Sequence, residues 1–84
     1  MTEYRIDTPR DEANEIENGL RAHIFRGNNM PYHVGDTIFF RVVDREKTIK
    51  HVIDKRKYII TTISEPNSAP ISKGFVCIGF RRIA

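Results

Sequence analysis

The stretch Gly19-Leu20-Arg21-Ala22-His23-Ile24-Phe25-Arg26 decides the fold class of this 84-residue chain. It is a glycine followed by a segment in which apolar residues alternate with others, as expected for a strand with two different faces. The segment before it begins with Thr8-Pro9, where threonine can cap a helix and proline suits the first helical position. Val34-Gly35-Asp36 then opens a further strand. This order predicts one N-terminal helix followed by a sheet.

The rest of the chain reads as short strands at close spacing. The helix is predicted to end at Asn18-Gly19, with an apolar stripe of Ala13, Ile16 and Leu20. Thr37–Val43 is apolar on both faces, which is typical of a central strand. Gly79 indicates a bulge or a close backbone approach. The predicted strands are residues 2–7, 20–26, 37–43, 49–53, 58–63 and 74–83, and residues 65–70 are predicted to form a loop.

These elements predict a single domain, residues 1–84, of the α+β class and mostly β. We expect a small, mostly antiparallel β-barrel or strongly curved sheet with the N-terminal helix packed at its mouth. No stretch approaches the length of a membrane-spanning helix, and the N-terminus does not resemble a signal peptide. We therefore expect a cytoplasmic, monomeric protein without a membrane partner.

Charge is distributed unevenly along the chain. Residues 1–18 carry a net charge of −4 and residues 19–84 carry +7. This asymmetry favours an anionic partner for the strand region, with nucleic acid first. A solvated basic surface explains the same pattern, and the sequence leaves both interpretations open.

Neither the cysteine nor the histidines predict a metal or redox site. The single Cys77 lies in the apolar run Phe75-Val76-Cys77-Ile78 and is predicted to be a buried small hydrophobe. The three histidines have no partners at the spacing of zinc ligands. We therefore expect no metal and no cofactor.

Several polar side chains are candidates for ligand binding. Arginines can fork two donors onto a phosphate or a base edge, and a tyrosine in a loop can stack on a base. For Arg26 a salt bridge to Asp36 or to a helix acid is the alternative. For His23 and Tyr32 the alternative is packing against the core. The predicted binding residues are Arg21, His23, Arg26, Tyr32, Arg41 and Lys50.

Four segments carry a resemblance to a known family. They are Gly19–Arg26, Val34-Gly35-Asp36, His51-Val52-Ile53 leading to Tyr58-Ile59-Ile60-Thr61, and Lys73-Gly74-Phe75-Val76. In their order and spacing, across residues 6–82, the chain resembles the ASCH group of PUA-like domains, and most of all its short subgroup common in phages and bacteria. The resemblance implies a PUA-like β-barrel with a cleft for RNA or a nucleotide.

Some members of that family are hydrolases that remove an acetyl group from a modified cytidine, through the motif Gly-x-Lys-Thr-x-Thr-x-Arg. Gly19 and Arg26 match its ends, but Arg21 stands in place of the lysine. Ala22 and Ile24 stand in place of the threonines. The carboxylate that these hydrolases place before the last strand has only Glu65 as a counterpart in residues 64–73. Since arginine stays protonated in proteins, Arg21 cannot act as a base, which disfavours catalysis.

Three hypotheses about function follow. The first is a non-catalytic RNA- or nucleotide-binding module with a cationic cleft. The second is an amidohydrolase acting on an acylated or otherwise modified nucleoside. The third is a small phage-type protein that binds a host protein through its acidic helix.

Overall fold

The computed structural model describes residues 2–27, 30–64 and 74–84. These residues form an α+β domain that is mostly sheet, with an α-helix between the first two strands, as predicted. None of the described helices is long and apolar enough to cross a membrane. The elements are β1 Glu3–Pro9, α1 Arg10–Glu17, β2 His23–Gly27, β3 Thr37–Asp44, β4 Lys47–Thr48, a 3₁₀ helix Val52–Lys55, β5 Tyr58–Ser64 and β6 Phe75–Arg82.

The strands form one sheet in the order β1-β3-β5-β6-β2, and β4 pairs with the end of β3. β1 runs parallel to β3, and the other pairs are antiparallel. Within the described residues the backbone ladder leaves β1 and β2 as edges, so the predicted closed barrel is not confirmed. One side chain crosses between these edges, because Arg26 Nη2 on β2 donates to the Asp7 carbonyl oxygen on β1 at 3.2 Å.

The core is formed by buried side chains of the strands together with Ala13 and Ile16 of α1. The prediction that β3 is a central strand is confirmed, since Ile38, Phe40 and Val42 are fully buried. The Phe40 ring meets Tyr58 and Phe80 edge-on, with centroids 5.1 and 5.2 Å away. Edge-to-face packing at this distance adds stability beyond that of the buried area.

The helix begins later than the sequence predicted. Thr8 does not cap it, because its hydroxyl donates to the Ile6 carbonyl within β1. Pro9 closes β1, and the helix starts at Arg10. Its predicted end is confirmed, since Gly19 adopts a left-handed conformation with φ of 73°.

The strand predicted over residues 20–26 starts only at His23. The Leu20 amide donates to the Glu15 carbonyl oxygen at 2.9 Å, which keeps this residue in the closing turn of the helix. The Leu20 side chain is consequently 77% exposed, and its assignment to the apolar stripe was wrong. Ala13 and Ile16 are buried as predicted.

The strand predicted over residues 49–53 is replaced by the 3₁₀ helix. Reciprocal capping explains this, because Asp54 accepts from the His51 amide at 3.2 Å while His51 Nδ1 accepts from the Ile53 amide at 3.3 Å. Such local side chain to backbone bonds compete with strand pairing. The extended pairing occurs earlier, at Lys47–Thr48.

The close approach predicted at Gly79 is confirmed. Gly79 pairs with His23 on one side and with Thr62 on the other, where the β5–β6 register shifts. A Cβ at Gly79 would collide with the Thr62 hydroxyl and touch the His23 ring. Two positions before it, Cys77 is only half-buried, so its prediction as a buried hydrophobe was wrong. The loop predicted at 65–70, including Glu65, lies outside the described residues.

Candidate anion-binding cleft

The six predicted binding residues lie in different places. Arg26, Tyr32 and Arg41 line a surface pocket of about 430 Å³ between β1, β2 and β3. Arg21 lines a different pocket, of about 330 Å³. Lys50 lines a third, of about 530 Å³, beside the 3₁₀ helix. His23 is exposed at the start of β2, with its ring beside Gly79.

Three arginines line the Arg26 pocket; Arg26 and Arg41 already have carboxylate partners, whereas Arg5 lies over the Phe39 ring, 6.0 Å from its centroid. Arg26 Nη2 lies 2.8 Å from Glu12 Oε1, and Arg41 Nε lies 2.6 Å from Asp7 Oδ1. The hydrogen bond from Arg41 lowers the pKa of Asp7 below its usual value, so this carboxylate stays charged at neutral pH. A phosphate entering this pocket would have to compete with both acids.

Tyr32 is half-buried in the same pocket. Its ring packs against Tyr4 with centroids 4.7 Å apart. Burial raises the pKa of the Tyr32 phenol above its usual value, so the hydroxyl keeps its proton at neutral pH. Packing on the core, the alternative left open by the sequence, is therefore present.

Arg26 connects three parts of the fold. Besides Glu12 on α1 it binds two carbonyl oxygens, those of Phe25 at 2.7 Å and Asp7 at 3.2 Å. The salt bridge to a helix acid, also left open by the sequence, is thus present. The side chains of Arg26 and Glu12 are 20% and 19% exposed, which shields the pair from solvent.

Replacing Arg26 with alanine should lower the free energy of unfolding by about 1–3 kcal/mol, because Glu12 would lose its partner in a sheltered position. Urea denaturation followed by circular dichroism measures this change. Arg41→Ala is the matched control, since its pair with Asp7 is about half exposed and screened by solvent, so its loss should have a clearly smaller effect. Equal effects of the two variants would contradict the assignment of Arg26 as a connector.

A second pocket has a different character, and we call it the arginine cleft. It lies where the end of α1, the start of β5 and the end of β6 meet. The ladder places Arg82 opposite Tyr58, and the Phe80 amide donates to the Ala22 carbonyl oxygen at 3.0 Å. The cleft is about 330 Å³ and is lined by Ile16, Glu17, Gly19, Arg21, Ala22, Arg56, Tyr58, Phe80, Arg81 and Arg82.

The charge of the arginine cleft is largely positive. Arg21 pairs with Glu15 at 3.0 Å, and this hydrogen bond raises the pKa of the Arg21 guanidinium. Among the described side chains, neither Arg56 nor Arg81 has an ion-pair partner. Four arginines therefore line the cleft, and the carboxylates among the described residues there are Glu17 in the lining and Glu15 beside it.

Two buried polar groups of the cleft residues lack a partner. Arg21 Nε and the Tyr58 hydroxyl are inaccessible to solvent and make no hydrogen bond with the described residues. An unpaired buried donor typically costs about 1–3 kcal/mol. Both atoms can donate, so together with the guanidinium groups they suit an anionic ligand with several acceptor oxygens.

Of the six predicted binding residues, only Arg21 lines this cleft, and the sequence analysis did not propose Arg56, Tyr58, Arg81 or Arg82 as binding residues. In the sequence, Arg56, Arg81 and Arg82 belong to the basic region 19–84, which a solvated surface also explains. The pairing of Tyr58 with Arg82 brings these segments together, and no local pattern reveals that pairing. Among the described residues, no group of histidine, cysteine and acidic side chains is arranged to hold a metal ion.

No family model matches the chain, and no curated protein matches it.

Proposed function

We propose that this protein is a non-catalytic RNA- or nucleotide-binding module, and that the arginine cleft binds phosphate. The observation that carries the proposal is the convergence of Arg21, Arg56, Arg81 and Arg82 on one cleft. Arg56 and Arg81 have no ion-pair partner among the described side chains, so a phosphate does not have to displace a carboxylate from them. Guanidinium groups bind phosphate oxygens through paired donors.

The dimensions and walls of the cleft support a nucleotide rather than inorganic phosphate alone. Ile16, Tyr58 and Phe80 give it an apolar side next to the cationic one. A nucleotide has the same division between a flat, weakly polar base and a charged phosphate. Ligand pockets commonly combine an apolar lining with a few oriented polar groups.

The proposal includes the PUA-like fold that the resemblance implies. Gly19 and Arg21, which begin the resembling segment, both line the cleft. The connection from Arg26 to the Asp7 carbonyl brings the two edge strands together, as a barrel-like arrangement requires. These features support the assignment, and a nucleic-acid ligand is what that family would lead one to expect.

Binding is favoured over hydrolysis by the chemistry of the cleft residues. Arg21 is held protonated by Glu15, so it cannot accept a proton or attack a carbonyl. Among the side chains of the lining, none supplies a thiol, and the one hydroxyl is the phenol of Tyr58. Turnover of an acetylated cytidine by the purified protein would contradict this choice.

The acidic helix is less suited to bind a host protein than its sequence suggests. Glu12 and Glu15 form ion pairs with Arg26 and Arg21 of the same chain. A partner would have to displace these arginines before it could use either carboxylate. We therefore favour a nucleic acid as the partner.

Tyr58→Phe tests the cleft directly. Phenylalanine removes the unpaired hydroxyl and keeps the ring that contacts Phe40 and Phe80. The free protein should keep its stability or gain up to about 1 kcal/mol, whereas affinity for uridine monophosphate should fall about three- to tenfold as one hydrogen bond is lost. Calorimetric titration and urea denaturation measure the two effects.

Tyr32→Phe is the matched control, because it removes a tyrosine hydroxyl from the other pocket. It should leave the affinity for uridine monophosphate unchanged. A Tyr58→Phe variant that binds as tightly as the wild type would show that the hydroxyl is not a ligand contact.

A further inference from the structure

We propose a second binding surface for single-stranded RNA on the outer side of β2 and β6, continuous with the arginine cleft. It consists of the rings of His23, Phe25 and Phe75, and we call it the aromatic face. Bases of a bound strand would stack on these rings while its phosphates reach the cleft. The inference rests on the proposed RNA-binding function and adds where the bases bind.

The strand register places the three rings on one side of the sheet. His23 pairs with Gly79, Phe25 with Cys77 and Gly27 with Phe75. Since side chains alternate along a strand, His23 and Phe25 share a face and lie about 6.6 Å apart along β2. Phe25 and Phe75 are diagonal neighbours, a separation of about 7–8 Å that aromatic rings can span.

The rings of the aromatic face are exposed, although the residues next to them along β2 and β6 are buried. Phe25 and Phe75 are 49% and 44% exposed, whereas Ile24, Val76 and Ile78 belong to the core. Burying two phenylalanines would have been favourable for a small domain. Exposed aromatic side chains in adjacent positions mark interaction sites more often than isolated ones do.

The charge of the aromatic face favours a nucleic acid as its partner over a protein. The outward residues of β2 and β6 include no carboxylate, and they end at Arg81, which also lines the arginine cleft. A strand leaving the cleft past Arg81 next meets the His23 ring beside Gly79. Stacking rings beside a cationic groove are the combination that binds single strands without sequence preference.

The test compares a long and a short probe on the same variants. The double variant Phe25→Ala/Phe75→Ala should lower affinity for hexauridylate at least about twentyfold, since each stacked base contributes at least about fivefold. Its affinity for uridine monophosphate, which fills only the cleft, should stay within about twofold of the wild type. Val34→Ala/Val52→Ala is the matched control, because it trims two exposed apolar side chains elsewhere and should change neither affinity.

A second measurement does not depend on affinity. The chain has no tryptophan, so Phe25→Trp introduces a single indole fluorophore on the aromatic face. Stacking of a uracil base should quench its emission on addition of hexauridylate and leave it unchanged with uridine monophosphate. Emission unaffected by saturating hexauridylate would overturn the proposal.

The outcomes separate this inference from the proposed function. If the wild type binds neither probe, the RNA-binding function itself is overturned. If hexauridylate binds and the phenylalanine double variant binds it equally well, only the aromatic face is overturned. Sedimentation that shows a dimer dissociating in the double variant would make this face a contact between two copies of the chain, which also overturns the proposal.

Discussion

Phe40→Ala is expected to lower the free energy of unfolding by about 3–5 kcal/mol, as large-to-small substitutions of buried phenylalanines do. A domain of this length has a total stability of roughly 4–13 kcal/mol. The variant should therefore lose between about a quarter and all of the stability of the domain.

The position of the ring explains the size of this effect. Phe40 is fully buried on the central strand, and it contacts the rings of Tyr58 and Phe80. Those two rings meet each other at 5.3 Å and also line the arginine cleft. Removing Phe40 leaves a cavity beneath the cleft, so binding of uridine monophosphate should weaken even in the fraction that remains folded.

Urea denaturation monitored by circular dichroism measures the loss. Leu20→Ala is the matched control, since it deletes a comparably large apolar side chain that is mostly exposed. Its effect should stay within about 0.5 kcal/mol. A similar loss of stability in the two variants would contradict the assignment of Phe40 to the core and of Leu20 to the surface.

Reversing the charge of Arg56 and Arg81 is expected to have the largest effect on binding. The double variant Arg56→Glu/Arg81→Glu removes two cations from the cleft and adds two carboxylates that repel phosphate. Affinity for hexauridylate at low salt should fall at least about a hundredfold. Stability should change little, because neither arginine forms an ion pair with the described side chains.

Arg45→Glu/Lys47→Glu is the control for a general effect of net charge. It makes the same change of net charge at Arg45, in the turn after β3, and at Lys47, in β4. The cleft is lined by Tyr58, which pairs with Ile38 near the other end of β3. A small decrease in affinity is expected there. Comparable losses in the two double variants would indicate diffuse attraction rather than a cleft.

Local sequence patterns predicted most of the sheet. Alternation and β-branched residues identified β1, β3, β5 and β6, because each of these strands buries one face or both. Leu20 and the 3₁₀ helix were missed, because turn and capping hydrogen bonds outweigh hydrophobic alternation in those segments. The close approach at Gly79 was predicted correctly, because a glycine inside a strand often marks a position without room for a side chain. Here the Thr62 hydroxyl occupies that space.

The candidate site was less predictable, because it depends on contacts between distant segments. Arg26 and Arg41 looked available for a ligand, yet acids 14 and 34 residues away bind them. Arg56 and Arg81 looked like solvated surface, yet they join Arg21 in the arginine cleft. A sequence shows which side chains are charged. Whether a given charge already has a partner depends on contacts between segments that are distant in the sequence.

The salt dependence of hexauridylate binding tests the central claim most directly. If the cleft neutralises about three phosphates of a single strand, the logarithm of affinity should fall with the logarithm of salt concentration at a slope of about −2. Arg56→Glu/Arg81→Glu should bring that slope to about −0.7 or closer to zero. Arg45→Glu/Lys47→Glu should leave the slope unchanged. No binding at low salt, or a flat slope for the wild type, would contradict the account.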